Sequence, residues 1–199
     1  PPPRLPDPGW AIVVKALVAL GVVVLLTLAV LWQLHVDLGP FSHDPIVPVF
    51  SLTFAAIVAV RVGLWLGYRP TAVSADHELP TLTVVVPAFN EGPGVVTTVE
   101  SLLASDYPYD RLKVIVVNDG SKDDTGPALD AALARLQAAG EQRFEVVHLP
   151  RNMGKRHALH AGFLRASSDI IATVDSDSLA LPDTLRALVA PFSDPKVGG

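Results

Sequence analysis

The stretch DIIATVDSDS, residues 169–178, decides the predicted fold, because a short apolar run ends there in two acidic residues. The β-branched residues of the run favour a buried strand. Asp175 and Asp177 follow at its carboxyl end, where a period of two places both carboxylates on one side. Two oxygen ligands this close suit Mg²⁺ or Mn²⁺, which phosphate oxygens and water commonly complete. The stretch therefore predicts a nucleotide-diphosphate site at the rim of a sheet; the alternative is an acidic turn that caps the next helix.

The composition limits the classes of protein and partner. Half of the 199 residues are hydrophobic, which is unusual for a soluble protein of this size, so part of the chain is expected to contact the lipid bilayer. The net charge of -5 argues against a nucleic acid partner. With no cysteine, neither disulfides nor thiolate chemistry contributes. The chain begins without Met and stops directly after a predicted helix, so we expect a fragment at both ends.

Three segments are predicted before the sheet begins. Residues 1–9 form a proline-rich linker, because this density of proline forbids a packed helix. Residues 10–69 contain two transmembrane helices joined by a short extracytoplasmic loop. The first has an apolar core of about 21 residues, which spans roughly 32 Å as a helix. Residues 70–80 form a polar linker.

Charged residues predict how these helices cross the membrane. The connection at residues 33–45 contains no Lys or Arg, whereas Arg4 precedes the first helix, Lys15 lies near its amino end and Arg69 follows the second. By the positive-inside rule both ends face the cytoplasm. The sequence thus predicts a multi-pass protein of the cytoplasmic membrane. A buried helical hairpin in a soluble protein is the alternative.

From residue 81 onward, short apolar runs alternate with helical patterns. This alternation predicts an α/β fold with a mostly parallel sheet and helices on both faces. Ligands of such sheets bind outside the carboxyl ends of the strands, where the polar loops of this chain fall. Neither a dinucleotide fingerprint nor a Walker loop is present. The predicted strands are residues 82–86, 112–117, 144–149 and 169–174; the predicted helices are residues 95–104, 125–139, 155–166 and 184–190.

Four motifs carry a resemblance to a known family. VPAFNE (residues 86–91), VNDGS (117–121), NMGKRHAL (152–159) and TVDSD (173–177) follow one another as in family 2 glycosyltransferases, which have the Rossmann-like GT-A fold. GKR in the third motif, and PF followed by DPKVG after the fourth, look most like the membrane-embedded hyaluronan and chitin synthase group. The resemblance covers residues 81–199, which it identifies as the N-terminal part of a GT-A domain.

The resemblance also implies a role for particular residues. A UDP-sugar donor is expected, together with Mg²⁺ or Mn²⁺. Lys155, after Gly154 at a helix start, would meet the diphosphate, and its alternative is a solvated lysine. Asp119 would accept hydrogen bonds from uracil or ribose, and its alternative is a turn acid. The nucleotide-sugar residues implied are Pro87, Ala88, Phe89, Glu91, Asp119, Lys155 and Asp175, and the metal ligands implied are Asp175 and Asp177.

The expected function of the whole protein follows from this resemblance. It is an inverting transfer of sugar from a UDP-sugar to a growing β-linked polysaccharide at the cytoplasmic face of the membrane. Family members place the catalytic base and an Arg-Trp motif in a part that would follow Gly199, so no catalytic base is expected here. Two alternatives remain open: a non-processive transferase acting on a lipid carrier, and a non-catalytic, membrane-anchored nucleotide-sugar sensor.

Overall fold

The computed structural model describes residues 7–35, 46–69, 71–72 and 74–197, with side chains described except at residues 28–35, 46–48 and 50–52. The chain divides into two compact units with a boundary between Thr71 and Ala72. Most of the predicted linker at residues 1–9 and of the connection at residues 33–45 lies outside the described residues.

The N-terminal unit contains two long apolar helices, α1 (Gly9–His35) and α2 (Ile46–Gly67). Among the described residues, Gly9–Thr27 is long and apolar enough to cross a membrane, with a mean hydropathy of 2.5. The apolar segment of α2 that was tested, Thr53–Gly67, is shorter. Both predicted helices are therefore present, while the membrane crossing of each stays a prediction.

Lys15 of α1 joins the ends of the two helices within this unit. Its Nζ lies 2.9 Å from Asp7 Oδ2 and donates a hydrogen bond of 2.8 Å to the carbonyl oxygen of Tyr68. The same Nζ lies 5.8 Å from the ring centroid of Trp65. A cation is favoured at the carboxyl end of a helix. Because the start of α1 lies beside the end of α2, the two helices run antiparallel.

The second unit contains an all-parallel sheet of four described strands in the order β3-β2-β1-β4. Each strand and helix that the sequence predicts is present, and the predicted bounds differ by at most three residues. The strands are β1 (Leu82–Ala88), β2 (Leu112–Asn118), β3 (Phe144–His148) and β4 (Ile170–Thr173), and the helices are α3 (Gly94–Leu103), α4 (Thr125–Ala138), α5 (Lys155–Phe163) and α6 (Thr184–Val189).

Helices cover both faces of the sheet, as predicted. Alternate residues of a strand point to opposite faces, so β1 contributes to two separate clusters. Val84 and Val86 pack with residues of α3, α4 and α6 on one face. Val85 packs with Ile115 and with Ala158 of α5 on the other. All seven residues of β1 are buried, which places this strand at the centre of the domain.

The prediction that residues 169–174 form a buried strand is wrong in one respect. β4 is an edge strand among the described residues, and the side chain of Ile171 is 43% exposed. β-branched residues favour strands but do not distinguish a central strand from an edge strand, so their presence did not fix the position of β4. β4 also ends at Thr173, before Asp175, and the period of two therefore does not place the two carboxylates.

Gly162 lets α5 approach the sheet closely. A Cβ at this position would lie 2.3 Å from Cγ1 of the fully buried Val85. We expect Gly162→Ala to lower the free energy of unfolding by about 1–3 kcal/mol, the usual cost of overpacking, even though alanine is the better helix former. Chemical denaturation followed by circular dichroism measures this change.

The control is Gly94→Ala at the start of α3. A Cβ at Gly94 meets no described atom within 4 Å, so this variant should keep its stability. Equal stabilities for the two variants would contradict close packing of α5 on β1.

Candidate functional site

The carboxyl ends of the strands surround an open cavity of about 350 Å³. Every residue that the sequence assigns to nucleotide or metal binding lines this cavity. These residues come from the end of β1 and the loop that follows it, from the loop after β2, from the start of α5 and from the turn after β4, so the structure brings together motifs that are far apart in sequence. The lining residues are Pro87, Ala88, Phe89, Glu91, Asp119, Asn152, Gly154, Lys155, Ala158, Asp175, Ser176 and Asp177.

The loop after β1 is shaped by side chains of the loop after β2. Asn90 has a positive φ of 55°. Its backbone N–H donates to Ser121 Oγ at 3.0 Å, and the N–H of Glu91 donates to Thr125 Oγ1 at 2.9 Å. Phe89 and Glu91 themselves remain exposed at the cavity. The hydrogen bonds thus fix the backbone and leave these two side chains available to a ligand.

Asp123 also joins the loop after β1 to the loop after β2. The sequence analysis did not select this residue. Its Oδ1 accepts the hydroxyl of Thr125 at 2.6 Å, and its Oδ2 accepts the N–H of Gly92 at 2.9 Å. The hydroxyl bond is the main reason that the pKa of the Asp123 carboxyl lies below its usual value. An acid two residues before a threonine at a helix start is a turn signature, so this contact could have been sought in the sequence.

Asp119 organises a loop as well as lining the cavity. Its side chain is 2% exposed, and Oδ1 and Oδ2 accept the N–H groups of Met153 and Gly154 at 2.8 and 2.7 Å. The sequence analysis treats Asp119 as a ligand acceptor or as an acid of its own turn. The structure instead shows it holding the loop before α5, while its contact with a nucleotide stays a prediction.

Two loops cross at Gly120 with almost no space between them. Gly120 has a φ of +64°, and a Cβ there would lie 2.3 Å from the carbonyl carbon of Arg151. Gly154, with a φ of +91°, leads the second of these loops into α5. No described side chain caps the start of α5. The first N–H groups of this helix are therefore uncapped at the cavity. Such N–H groups at the amino end of a helix favour anions.

Lys155, Asp175 and Asp177 all line the cavity, and Lys155 contacts the first of these two acids. Lys155 Nζ lies 2.6 Å from Asp175 Oδ1, but both side chains are more than half exposed, so the pair adds little to stability. The intervening Ser176 is anchored through its carbonyl oxygen, which accepts the hydroxyl of Thr98 at 2.7 Å. This buried bond attaches the turn that carries Asp175 and Asp177 to α3.

The donor set fits a divalent cation shared with a ligand. The described residues contain no group of three or more His, Cys, Asp or Glu that could hold a metal by themselves. Mg²⁺ is commonly bound by one or two carboxylates and completed by phosphate oxygens and water. Asp175 and Asp177 match this pattern, so the cavity suits a metal that arrives with a diphosphate.

Comparisons with known proteins find related sequences. The sequence model of Glycosyl transferase family 2 matches residues 83–199. An N-acetylglucosaminyltransferase of Rhizobium meliloti (strain 1021) is 38% identical over 162 residues, which are 76% of this chain and 36% of that protein. An N-acetylglucosaminyltransferase of Rhizobium leguminosarum bv. trifolii is 38% identical over 125 residues, which are 62% of this chain and 66% of that protein.

A solved structure shares the fold of a large part of this chain. The mannosyltransferase PcManGT from Pyrobaculum calidifontis, in complex with GDP-Man and Mn²⁺, superposes with a TM-score of 0.64 and 28% sequence identity. The match covers 76% of this chain and 44% of that chain. This chain also spans only 33% of the N-acetylglucosaminyltransferase of Rhizobium sp. (strain N33).

Proposed function

Because the chain belongs to glycosyl transferase family 2, we propose that the whole protein transfers N-acetylglucosamine from a UDP-sugar to a growing β-linked polysaccharide, with inversion. The observation that carries this proposal is the convergence of eight predicted residues on one cavity at the carboxyl edge of the sheet. The names of the Rhizobium relatives support the choice of sugar. The fold is the GT-A fold, in which this edge is the expected donor site.

The cavity divides into regions that suit the parts of a nucleotide sugar. The exposed ring of Phe89 offers an apolar face to a base, and Glu91 lies beside it. Lys155, which also lines the cavity, would exchange its contact with Asp175 for a diphosphate oxygen, which the amino end of α5 also attracts. Asp175 is then released to act with Asp177 as a metal ligand. Mg²⁺ or Mn²⁺ held there would neutralise charge on the departing diphosphate.

The N-terminal helices suggest where this reaction takes place. We infer that α1 and α2 both cross the cytoplasmic membrane and that the catalytic domain faces the cytoplasm. The apolar segment Gly9–Thr27 and the antiparallel contact made by Lys15 support this arrangement. Two helices before the catalytic domain favour a polymer-forming enzyme of the hyaluronan and chitin synthase type over a transferase that acts on a lipid carrier.

Binding of UDP by residues 1–199 in detergent tests the donor site. We expect calorimetry to detect UDP binding that requires Mg²⁺ or Mn²⁺, because two carboxylates and one lysine suffice to hold a metal–diphosphate pair. Asp177→Asn should remove the metal dependence, whereas Asp110→Asn, at an exposed acid outside the cavity, should not. Metal-independent binding by the parent chain would contradict the role of Asp177.

A second measurement separates binding from catalysis. A base must lie within hydrogen-bond reach of the acceptor hydroxyl, and we place that base after Gly199. Residues 1–199 should therefore bind UDP but form no glycosidic bond, while the full-length protein in membranes should form polymer from one particular UDP-sugar. Sugar transfer by residues 1–199 alone would refute this division.

A further inference from the structure

Three side chains form a hydrogen-bonded row beside the nucleotide cavity, outside the residues assigned so far. Asn118 and His148 are the last residues of β2 and β3 and are paired across these strands. Asn118 Nδ2 lies 3.0 Å from His148 Nδ1, and His148 Nε2 lies 2.9 Å from Asp130 Oδ1 on α4. The row therefore connects two strand ends to a helix.

The backbone of the neighbouring turn determines the direction of every bond in this row. The N–H of Ser121 donates to Asn118 Oδ1 at 3.0 Å, so the amide oxygen is the acceptor and Nδ2 must face His148. A nitrogen that receives a bond from Nδ2 carries no proton, which assigns the proton of neutral His148 to Nε2. Nε2–H then donates to Asp130. The bond to Asp130 is exposed, so the inner bond to the amide decides the tautomer.

Asn118 has little freedom to find other partners. Its side chain is 5% exposed, and a Cβ added at Gly126 of α4 would lie only 3.2 Å from Nδ2. When a buried amide loses one hydrogen-bond partner, the polar group left unpaired costs free energy. His148 is thus the acceptor that satisfies Nδ2 of Asn118, while Ser121 satisfies Oδ1.

The turn held by Asn118 forms part of the nucleotide cavity. Ser121 Oγ accepts the N–H of Asn90, and Asn90 Oδ1 accepts the N–H of Lys122 at 3.0 Å. These bonds attach the loop that carries Phe89 and Glu91 to the turn, so the position of the loop depends on the position of the turn. A change at His148 therefore reaches the cavity through Asn118 and Ser121 without His148 contacting a ligand.

We propose that His148, neutral and protonated at Nε2, is a positioning residue that holds the nucleotide cavity in its binding geometry through Asn118 and Ser121. This inference rests on the proposed function, because the cavity is taken to bind a nucleotide diphosphate.

Two substitutions test the roles of the two ring nitrogens of His148 separately. The amide of His148→Asn stands near the position of Nδ1 and can accept the bond from Asn118. The amide of His148→Gln stands near the position of Nε2 and keeps only the contact with Asp130. UDP affinity is measured by calorimetry with Mg²⁺ on residues 1–199 in detergent, at about pH 8. Thermal melts establish that both variants fold.

The expected results differ between the two variants. His148→Asn should bind UDP like the parent chain, because its amide can accept the bond from Asn118. His148→Gln should bind about tenfold more weakly than the parent chain, because a buried donor is left unpaired.

Nuclear magnetic resonance of the ring nitrogens gives a readout that does not depend on function. The signal of His148, identified by its absence from His148→Asn, should show the Nε2–H tautomer at about pH 8. A Nδ1–H tautomer, or equal affinities for the two variants, would overturn the inference. A parent chain with the Nε2–H tautomer that binds no UDP at any pH would instead overturn the proposed function, and the nucleotide role of His148 with it.

Discussion

Replacing Gly120 with alanine is expected to abolish UDP binding and to lower the free energy of unfolding by roughly 3 kcal/mol or more, because two costs add. An alanine with a φ of +64° carries left-handed strain. Its Cβ would also lie 2.3 Å from the backbone of Arg151, which cannot move aside as a flexible side chain could. The loop before α5 must shift, and Asn152, Gly154 and Lys155 shift with it.

Gly140→Ala isolates the first of these costs. Gly140 has a φ of +87°, but no described atom lies within 4 Å of a Cβ there. This variant should lose only about 1–2 kcal/mol of stability, the cost of left-handed strain, and should bind UDP normally. Chemical denaturation and calorimetry of both proteins measure the difference. Equal losses in the two variants would mean that the crossing of the loops is not tight.

Replacing Asp119 with asparagine should have the second largest effect. The carboxylate accepts two backbone N–H groups, from Met153 and Gly154, and an amide can accept only one of them. Its NH₂ group would then face the other N–H. We expect the free energy of unfolding to fall by about 3 kcal/mol, since hydrogen bonds to charged groups are strong and an unpaired donor adds its own cost. UDP affinity should fall with it, because the loop lines the cavity.

Asp124→Asn is the matched control for this change. Asp124 lies in the same loop, is exposed and makes no capping bond with its side chain, so the variant removes the same charge without removing a contact. Its stability and UDP affinity should equal those of the parent chain. If Asp119 acted on the ligand alone, Asp119→Asn would weaken UDP binding and leave denaturation unchanged.

The sequence predicted the order of strands and helices because each element carries its own periodicity. β1 is the exception: its run is apolar apart from Thr83 and has no period, which predicts a strand buried on both faces, and all its residues are buried. The convergence of the loops followed from parallel strands alone, since their carboxyl ends share one edge. Asp175 and Asp177 could be selected for the same reason, although a turn and not the strand sets their geometry.

What escaped prediction depends on contacts between distant loops. Asp119 reads as a turn acid or a ligand because nothing near it in sequence reveals that Met153 and Gly154 approach its carboxylate. His148 reads as the polar end of a strand, and only its pairing with Asn118 shows what its ring receives. The edge position of β4 could not be predicted, because β-branched residues favour edge strands and central strands alike.

The position of β1 between β2 and β4 has a consequence for the synthesis of the protein. The register pairs Leu82 of β1 with Leu112 on one side and with Ile170 on the other, and the bond from Thr81 to Asp169 also joins residues 88 positions apart. At about 5–20 residues per second, a ribosome needs roughly 4–18 s to make that interval. During this time β1 can pair with β2 while its other edge stays open. The nascent chain thus carries an apolar, unpaired strand edge for seconds, which is the state that chaperones bind and that aggregation begins from.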